Sequence, residues 1–305
     1  MDCRADIQGG GIMFFWCEQL MQSAAATKQP LSALPVSSLV ALPVKSSYQS
    51  ILGETIALKV ADQNHTGYPS NATTFIADKI IALLCFDAKE PSNSNTDRQS
   101  YGNNRYSVSN ILQWLNSTSS SWYSAKHAAD APPNAANVAD GVNPYNTWSG
   151  FLTMLDDAFV AALLNTSQTV ALNTITDGGG SSNVISKIFL ASNTEVGLAN
   201  ENSIAEGTKL ALFSGDTSRL AYCTQSAIDT SQYTGDPTTT VAWHWWLRTP
   251  YATQSHIARS VANTGILASR NAYDGSRGIR PLCNLPNTIN VTTAPDANGM
   301  YHFVW

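Results

Sequence analysis

The stretch WHWWLRTP at residues 243–250 packs three tryptophans into four positions and follows them with an arginine, a threonine and a proline. Side chains of that size have to be enclosed, so the fold must be built around a rigid anchor at this point. A long run of small and polar residues comes next, closed by GIRPLCNL at 278–285. Arg248 in WWLRTP and Arg280 in GIRPL sit in apolar or constrained surroundings, where a guanidinium is half-buried and needs fixed acceptors around its five donors. Two readings follow for these arginines: a ligand anchor, or a pin joining the two ends of the segment. The pin is preferred, and Trp245, Trp246, Arg248 and Arg280 are taken as framework.

The chain has 305 residues, enough for a sizeable core in one large domain or two ordinary ones. Only 13% of them are charged, about half the usual share of roughly 25%. Asn, Ser, Thr and Ala fill the gap, which reads as a loop-rich, largely β chain with an uncharged polar surface. A formal net charge of -5 and the absence of any Lys/Arg run exclude nucleic acid as the expected partner. No stretch of eighteen apolar residues offers a membrane span. GIMFFWC near the N-terminus is short and runs into Glu18, so it is not read as a secretion signal. The five cysteines, Cys3, Cys17, Cys85, Cys223 and Cys283, are odd in number and scattered without a C-x-x-C pair. That pattern argues against a disulfide framework and against zinc, leaving buried thiols.

Residues 1–37, which contain SAAATKQPLSALP, show no sustained period and are set aside as a tail or linker. From 38 onward SLVALPV, ETIALKVAD and TTFIADKIIALLCFD are short, rich in Val, Ile and Thr, and separated by Gly, Asn and Pro, as framework strands are. Two core helices are expected. In YSVSNILQWLNS, Val108, Ile111, Leu112 and Leu115 form one stripe behind Ser107 as N-cap; in SGFLTMLDDAFVAALL, Leu152, Leu155, Phe159 and Leu163 do so behind Ser149. In ARSVANTGILASR, Asn263-Thr264-Gly265 supplies a turn, Val261 and Leu267 point inward, and Ser260, Ile266 and Ala268 point out, giving a small hairpin.

Catalytic signatures are missing. No G-x-S-x-G, H-E-x-x-H, P-loop or G-x-G-x-x-G occurs, and His65, His127, His244, His256 and His302 are scattered singly. The acids form no EF-hand pattern. No cofactor and no metal is assigned, with a structural calcium left open.

The runs FDAKEPSNSNTDRQSYGNNRYSVSNILQWLNS (86–117), WYSAKHAADAPP (122–133) and KIFLASNTEVGLANE (187–201), together with WWLRTP and GIRPLCNL, resemble a bacterial and phage family with the C-type lectin fold. Its segment between the last two motifs is similar to the variable region of proteins diversified by diversity-generating retroelements. The resemblance covers roughly 38–305. It implies an α+β, C-type lectin-like fold of the formylglycine-generating-enzyme-type subclass, with short twisted strands, two core helices and much loop. Residues 38–305 are then one domain with a variable ligand-binding region at about 243–285. Retroelement mutagenesis replaces template adenines, typically in AAC or AAT codons, which cannot reach Lys, Met, Trp, Glu or Gln. The candidate variable positions are His256, Ile257, Ser260, Asn263, Ile266, Ala268, Ser269, Arg270, Asp274, Ser276 and Arg277, and none is an unreachable type; Gln254 is, and is left out.

The function so implied is binding without catalysis. A variable protein or glycan ligand on a target surface is the expected partner, bound by a phage tail-associated protein or one on a bacterial cell surface. With Arg270 and Arg277 as its only hot-spot types, this copy is expected to bind an acidic or polyhydroxylated surface weakly and salt-sensitively. A fixed glycan or surface adhesin is the first rival. The second is a formylglycine-generating-type enzyme: GIR resembles the closing GFR of that class, but its closely spaced cysteine pair has no counterpart beside Cys283 or Cys223.

Overall fold

The computed structural model describes residues 27–305. Expectations for residues 1–26, including Cys3 and Cys17, lie outside the described residues. Fifteen short strands follow in order: β1 Lys28–Pro30, β2 Leu39–Pro43, β3 Thr55–Gln63, β4 Ala72–Ala77, β5 Ala82–Leu83, β6 Thr166–Ala171, β7 Ser181–Ser186, β8 Ile188–Phe189, β9 Trp245–Pro250, β10 Ile257–Val261, β11 Leu267–Asn271, β12 Gly278–Ile279, β13 Leu282–Pro286, β14 Asn290–Thr292 and β15 Met300–Val304. The described helices are no longer than six residues, as in Asn110–Leu115 and Asp157–Ala162. The protein is α+β, mostly sheet with few short helices.

An eight-stranded sheet runs β1-β14-β15-β2-β3-β4-β13-β8, a five-stranded one β11-β10-β9-β12-β5, and β6 pairs with β7. The segments SLVALPV, ETIALKVAD and TTFIADKIIALLCFD supply β2, β3, β4 and β5, as their β-branched composition predicts. In the closing motif, β12 joins the five-stranded sheet through Trp245, and β13 lies between β4 and β8 of the eight-stranded sheet. The two ends of GIRPLCNL therefore bind two sheets together.

The N-terminal boundary differs from the expectation. Residues 28–37 are not a tail: β1 pairs with β14, and Leu31 and Leu34 are buried in the core. QPLSALP shows no period because it makes one three-residue strand and one 3-10 turn, too short for a period to register. The helices differ as well. Ser109, not Ser107, caps the first: its hydroxyl accepts from Leu112 N, while Tyr106–Val108 forms a separate 3-10 turn. The second expected helix is two, Phe151–Met154 and Asp157–Ala162, capped by Gly150 and Asp156. Leu155 is extended and bridges to Val44, while Asp156 accepts from Phe159 N at 3.0 Å, so a fresh cap interrupts a continuous apolar stripe.

Candidate functional site

The site is built on β9, whose six residues are all buried. Consecutive strand side chains point to opposite faces, and here both faces are covered. Trp246 joins the larger hydrophobic cluster with Phe86, Tyr106 and Trp114; Trp245 and Leu247 join a second with Phe189, Phe213 and Val261. Each indole N–H is satisfied, Trp246 Nε1 donating to Leu84 O at 2.9 Å and Trp245 Nε1 to Arg219 O at 3.0 Å.

Arg248 and Arg280 are both buried. Arg248 is fully buried and forks onto Glu195, Nη1 to Oε2 at 2.6 Å and Nη2 to Oε1 at 2.7 Å, with further bonds to Leu190 O and Glu206 O. Glu195 also accepts from Tyr68 Oη at 2.5 Å and Ser192 N at 3.0 Å. Burial alone would lower the arginine's pKa, but the Glu195 charge and its hydrogen bonds hold it above the usual value. Arg280 donates from Nε to Ala77 O and lies 5.1 Å from the Trp245 ring centre. Burial, only partly offset by Asp78, pushes Arg280 down to about 10.

The hairpin forms with the register Ile257↔Asn271 through Val261↔Leu267. Ala262 N bonds Ile266 O, and Gly265, at φ +85°, ends the three-residue loop. A Cβ on Gly265 would meet Asp216 O at 2.1 Å, and Arg219 Nε donates to Gly265 O at 2.6 Å, so the tip is clamped.

The eleven candidate positions do not share one exposed surface. Asn263, Ile266 and Arg270 are exposed, and Ile257, Ala268, Ser269 and Arg277 are half-buried. His256, Ser260, Asp274 and Ser276 are buried. Ser260 was expected to point out; it lies on the same strand face as Ala258, against the larger cluster, while Val261 faces the second. Leu267 was expected inside and is half-buried. The register splits the set further: Ala268 and Arg270 share a face with Ser260, and Ile257 and Ser269 share the other.

What the fold does bring together is a cationic and aromatic face. Arg270, 54% exposed at its side chain, donates from Nε to Asp274 Oδ2 at 2.5 Å. Asp274 Oδ1 accepts from Ser276 N and Ser276 Oγ, and Arg277 Nη1 donates to Ser276 Oγ at 3.1 Å. Burial alone would raise Asp274, but the bonds from Ser276 and Arg270 bring it below the ordinary carboxylate value. The Asp274 hydrogen bond raises Arg270; burial lowers Arg277. His244 is pushed down to about 4 by burial and by Arg277 and Arg270, so its imidazole is neutral at pH 7. Its Nδ1 and Arg277 Nε are buried without a hydrogen-bond partner.

Aromatic rings border these charges. Trp243 Nε1 donates to Ser276 O at 2.8 Å, and its ring lies 6.0 Å from Tyr233. Tyr273 packs edge-on against Tyr101 at 5.7 Å, and Tyr101 lies 5.2 Å from His256. His256 Nδ1 is 3.6 Å from Asp97 Oδ2, too long for a hydrogen bond. Tyr101 and Tyr233 were missed because they come from segments far from 243–285, and nothing local marks them. Trp243 belongs to the anchor motif, and Tyr273 follows Asn271 at the end of β11; both border the face.

Cys85, Cys223 and Cys283 are buried free thiols, and burial pushes Cys223 and Cys283 up to about 12. Among the described residues no group of three or more His, Cys, Asp or Glu side chains is placed to hold a metal ion, and no helix is long and apolar enough to cross a membrane. No curated protein and no solved structure matches the chain. A family described as Domain of unknown function (DUF6273) matches residues 71–287, which include β9, the hairpin, and the Arg270, Asp274 and Arg277 cluster. The match spans more than half of the sequence, and the chain belongs to that family.

Proposed function

We propose that the protein is a binding protein whose ligand face is formed by Arg270, Arg277 and His244 within a border of Tyr101, Tyr233, Trp243 and Tyr273. The observation that carries this reading is the pairing of an exposed arginine with polar atoms left unbonded, His244 Nδ1 and Arg277 Nε, beside aromatic rings. Arg, Tyr and Trp are the residues that dominate binding energy at interfaces. The ligand is an acidic or polyhydroxylated group on a target surface, such as a protein or glycan bears, and recognition is weak and salt-sensitive. Binding of a panel of acidic glycans and peptides at low and high salt tests this directly. An Arg270→Ala, Arg277→Ala double variant is expected to lose at least tenfold in affinity, and unchanged binding by it would overturn the reading.

The finer reading keeps the C-type lectin-like fold and the retroelement-diversified region at about 243–285, in a phage tail-associated or bacterial surface protein. The sequence resemblance supports it, as does the clamped framework under the hairpin. Sequencing the locus across one population is the test: substitutions must concentrate at exposed positions such as Asn263, Ile266 and Arg270 and trace to template adenines. A segment as invariant as the helices would leave a fixed adhesin.

A further inference from the structure

A polar cavity of about 260 Å3 lies outside the hairpin face. The sequence builds it in TDRQSYGNNRYS. Asn95 caps the helix Thr96–Tyr101 by accepting from Arg98 N, which fixes Arg98 on the first turn. Arg98 donates from Nε to Ser255 O at 3.2 Å and from Nη2 to Asp177 Oδ2 at 2.7 Å. Asn103 Oδ1 accepts from Arg105 N and so sets the start of the next turn. Arg98, Arg105, His127 and Asp177 all line the cavity.

Arg105 stands out among them. Its guanidinium makes no hydrogen bond to any described residue; Nε is buried without a partner, and Nη1 is 3.8 Å from Asp177 Oδ1, beyond hydrogen-bond range. A guanidinium with no protein hydrogen bond and only a long ion pair to Asp177, in a polar cavity, is a fork that can receive an oxyanion. The neighbouring acids do not cancel it at the surface. Asp177 is 3% exposed and Oδ2 is engaged by Arg98 and by Asn173 Nδ2. Glu90 is 0% exposed, held by Asn93, by Asn103 Nδ2 at 3.0 Å and by His127 Nε2 at 2.9 Å. Glu90 lies behind the lining and Asp177 contributes to it at only 3% exposure, whereas Arg105 is 42% and His127 30% exposed.

We propose that this cavity binds a small oxyanion, a carboxylate or a phosphate group, with the Arg105 guanidinium as its principal contact and Arg98 and His127 beside it. The volume falls just under the roughly 300–1,000 Å3 of drug-sized sites, which suits a small ion or the charged end of a small molecule. Ser255 ties the cavity wall to the loop entering β10, but the site shares no contact residue with the Arg270 and Arg277 face, so either can fail alone.

The test is isothermal titration of the full chain with inorganic phosphate and, separately, succinate, at constant ionic strength. Saturable one-to-one binding of at least one of them is expected. Binding of phosphate alone assigns a phosphate-bearing ligand, of succinate alone a carboxylate, and of both the shared oxyanion chemistry. Arg105→Ala and Arg105→Gln should each bind at least tenfold more weakly with unchanged urea midpoints, and the Arg270→Ala, Arg277→Ala variant should bind as the parent does. Absence of saturable binding to both anions, parental affinity in the Arg105 variants, or loss in the double variant overturns the proposal.

Discussion

Arg248 illustrates how much a single buried residue can hold in place. Its fork on Glu195 is completed by donors from Tyr68 and Ser192, so neither charge is left unpaired inside. Arg248→Ala would strand the Glu195 carboxylate and is expected to cost about 3–5 kcal/mol in urea unfolding. Two titrating groups act in opposite directions with pH. Burial pushes Glu206 up to about 7, so its contribution is present at low pH and is lost as pH rises through 7. His244 is depressed to about 4 while its unfolded form titrates near 6.5, so the unfolded chain binds more protons between those values and stability falls as pH drops through them. Glu206→Gln should flatten the alkaline limb, and His244→Phe the acidic one, in unfolding curves taken from pH 4 to 8. The enclosure of Arg248 and Arg280 was legible because both sit in apolar motifs. Arg105 was not: in GNNRYS nothing local distinguishes it, and His127 and Asp177, which line the same cavity, are distant in sequence.

At the level of elements, the hairpin turn and the strand pattern were legible from composition and from Asn263-Thr264-Gly265. The burial of Ser260 and His256 was not, because alternation assigns faces without saying whether a second layer covers the outer one, and here β9 and β10 have core on both sides. The helix caps were misplaced because the apolar spacing runs on through the 3-10 turn Tyr106–Val108 in the first helix and through Leu155 in the second. Ser109→Ala is therefore expected to cost about 1 kcal/mol and Ser107→Ala close to nothing, as measured by thermal unfolding. Gly265→Ala and Gly67→Ala separate two kinds of strain. Both glycines have positive φ, but only at Gly265 does the new Cβ strike backbone, so Gly67→Ala should cost about 1 kcal/mol and Gly265→Ala clearly more.

Across the whole molecule, several strands divide their buried side chains between the two hydrophobic clusters, and β9 places a tryptophan in each. Truncation of the segment once read as a tail should show how far the eight-stranded sheet depends on its margin: Leu31→Ala, emptying a fully buried site, is expected to cost about 2–5 kcal/mol. The shared strand has a kinetic consequence too. With Trp246 in one cluster and Trp245 in the other, neither cluster can loosen without exposing an indole and breaking its N–H bond. The amide protons that β9 commits to its neighbours should then exchange with solvent only when the entire domain opens, at one common rate, whereas those at the tip of the hairpin exchange through local fraying long before.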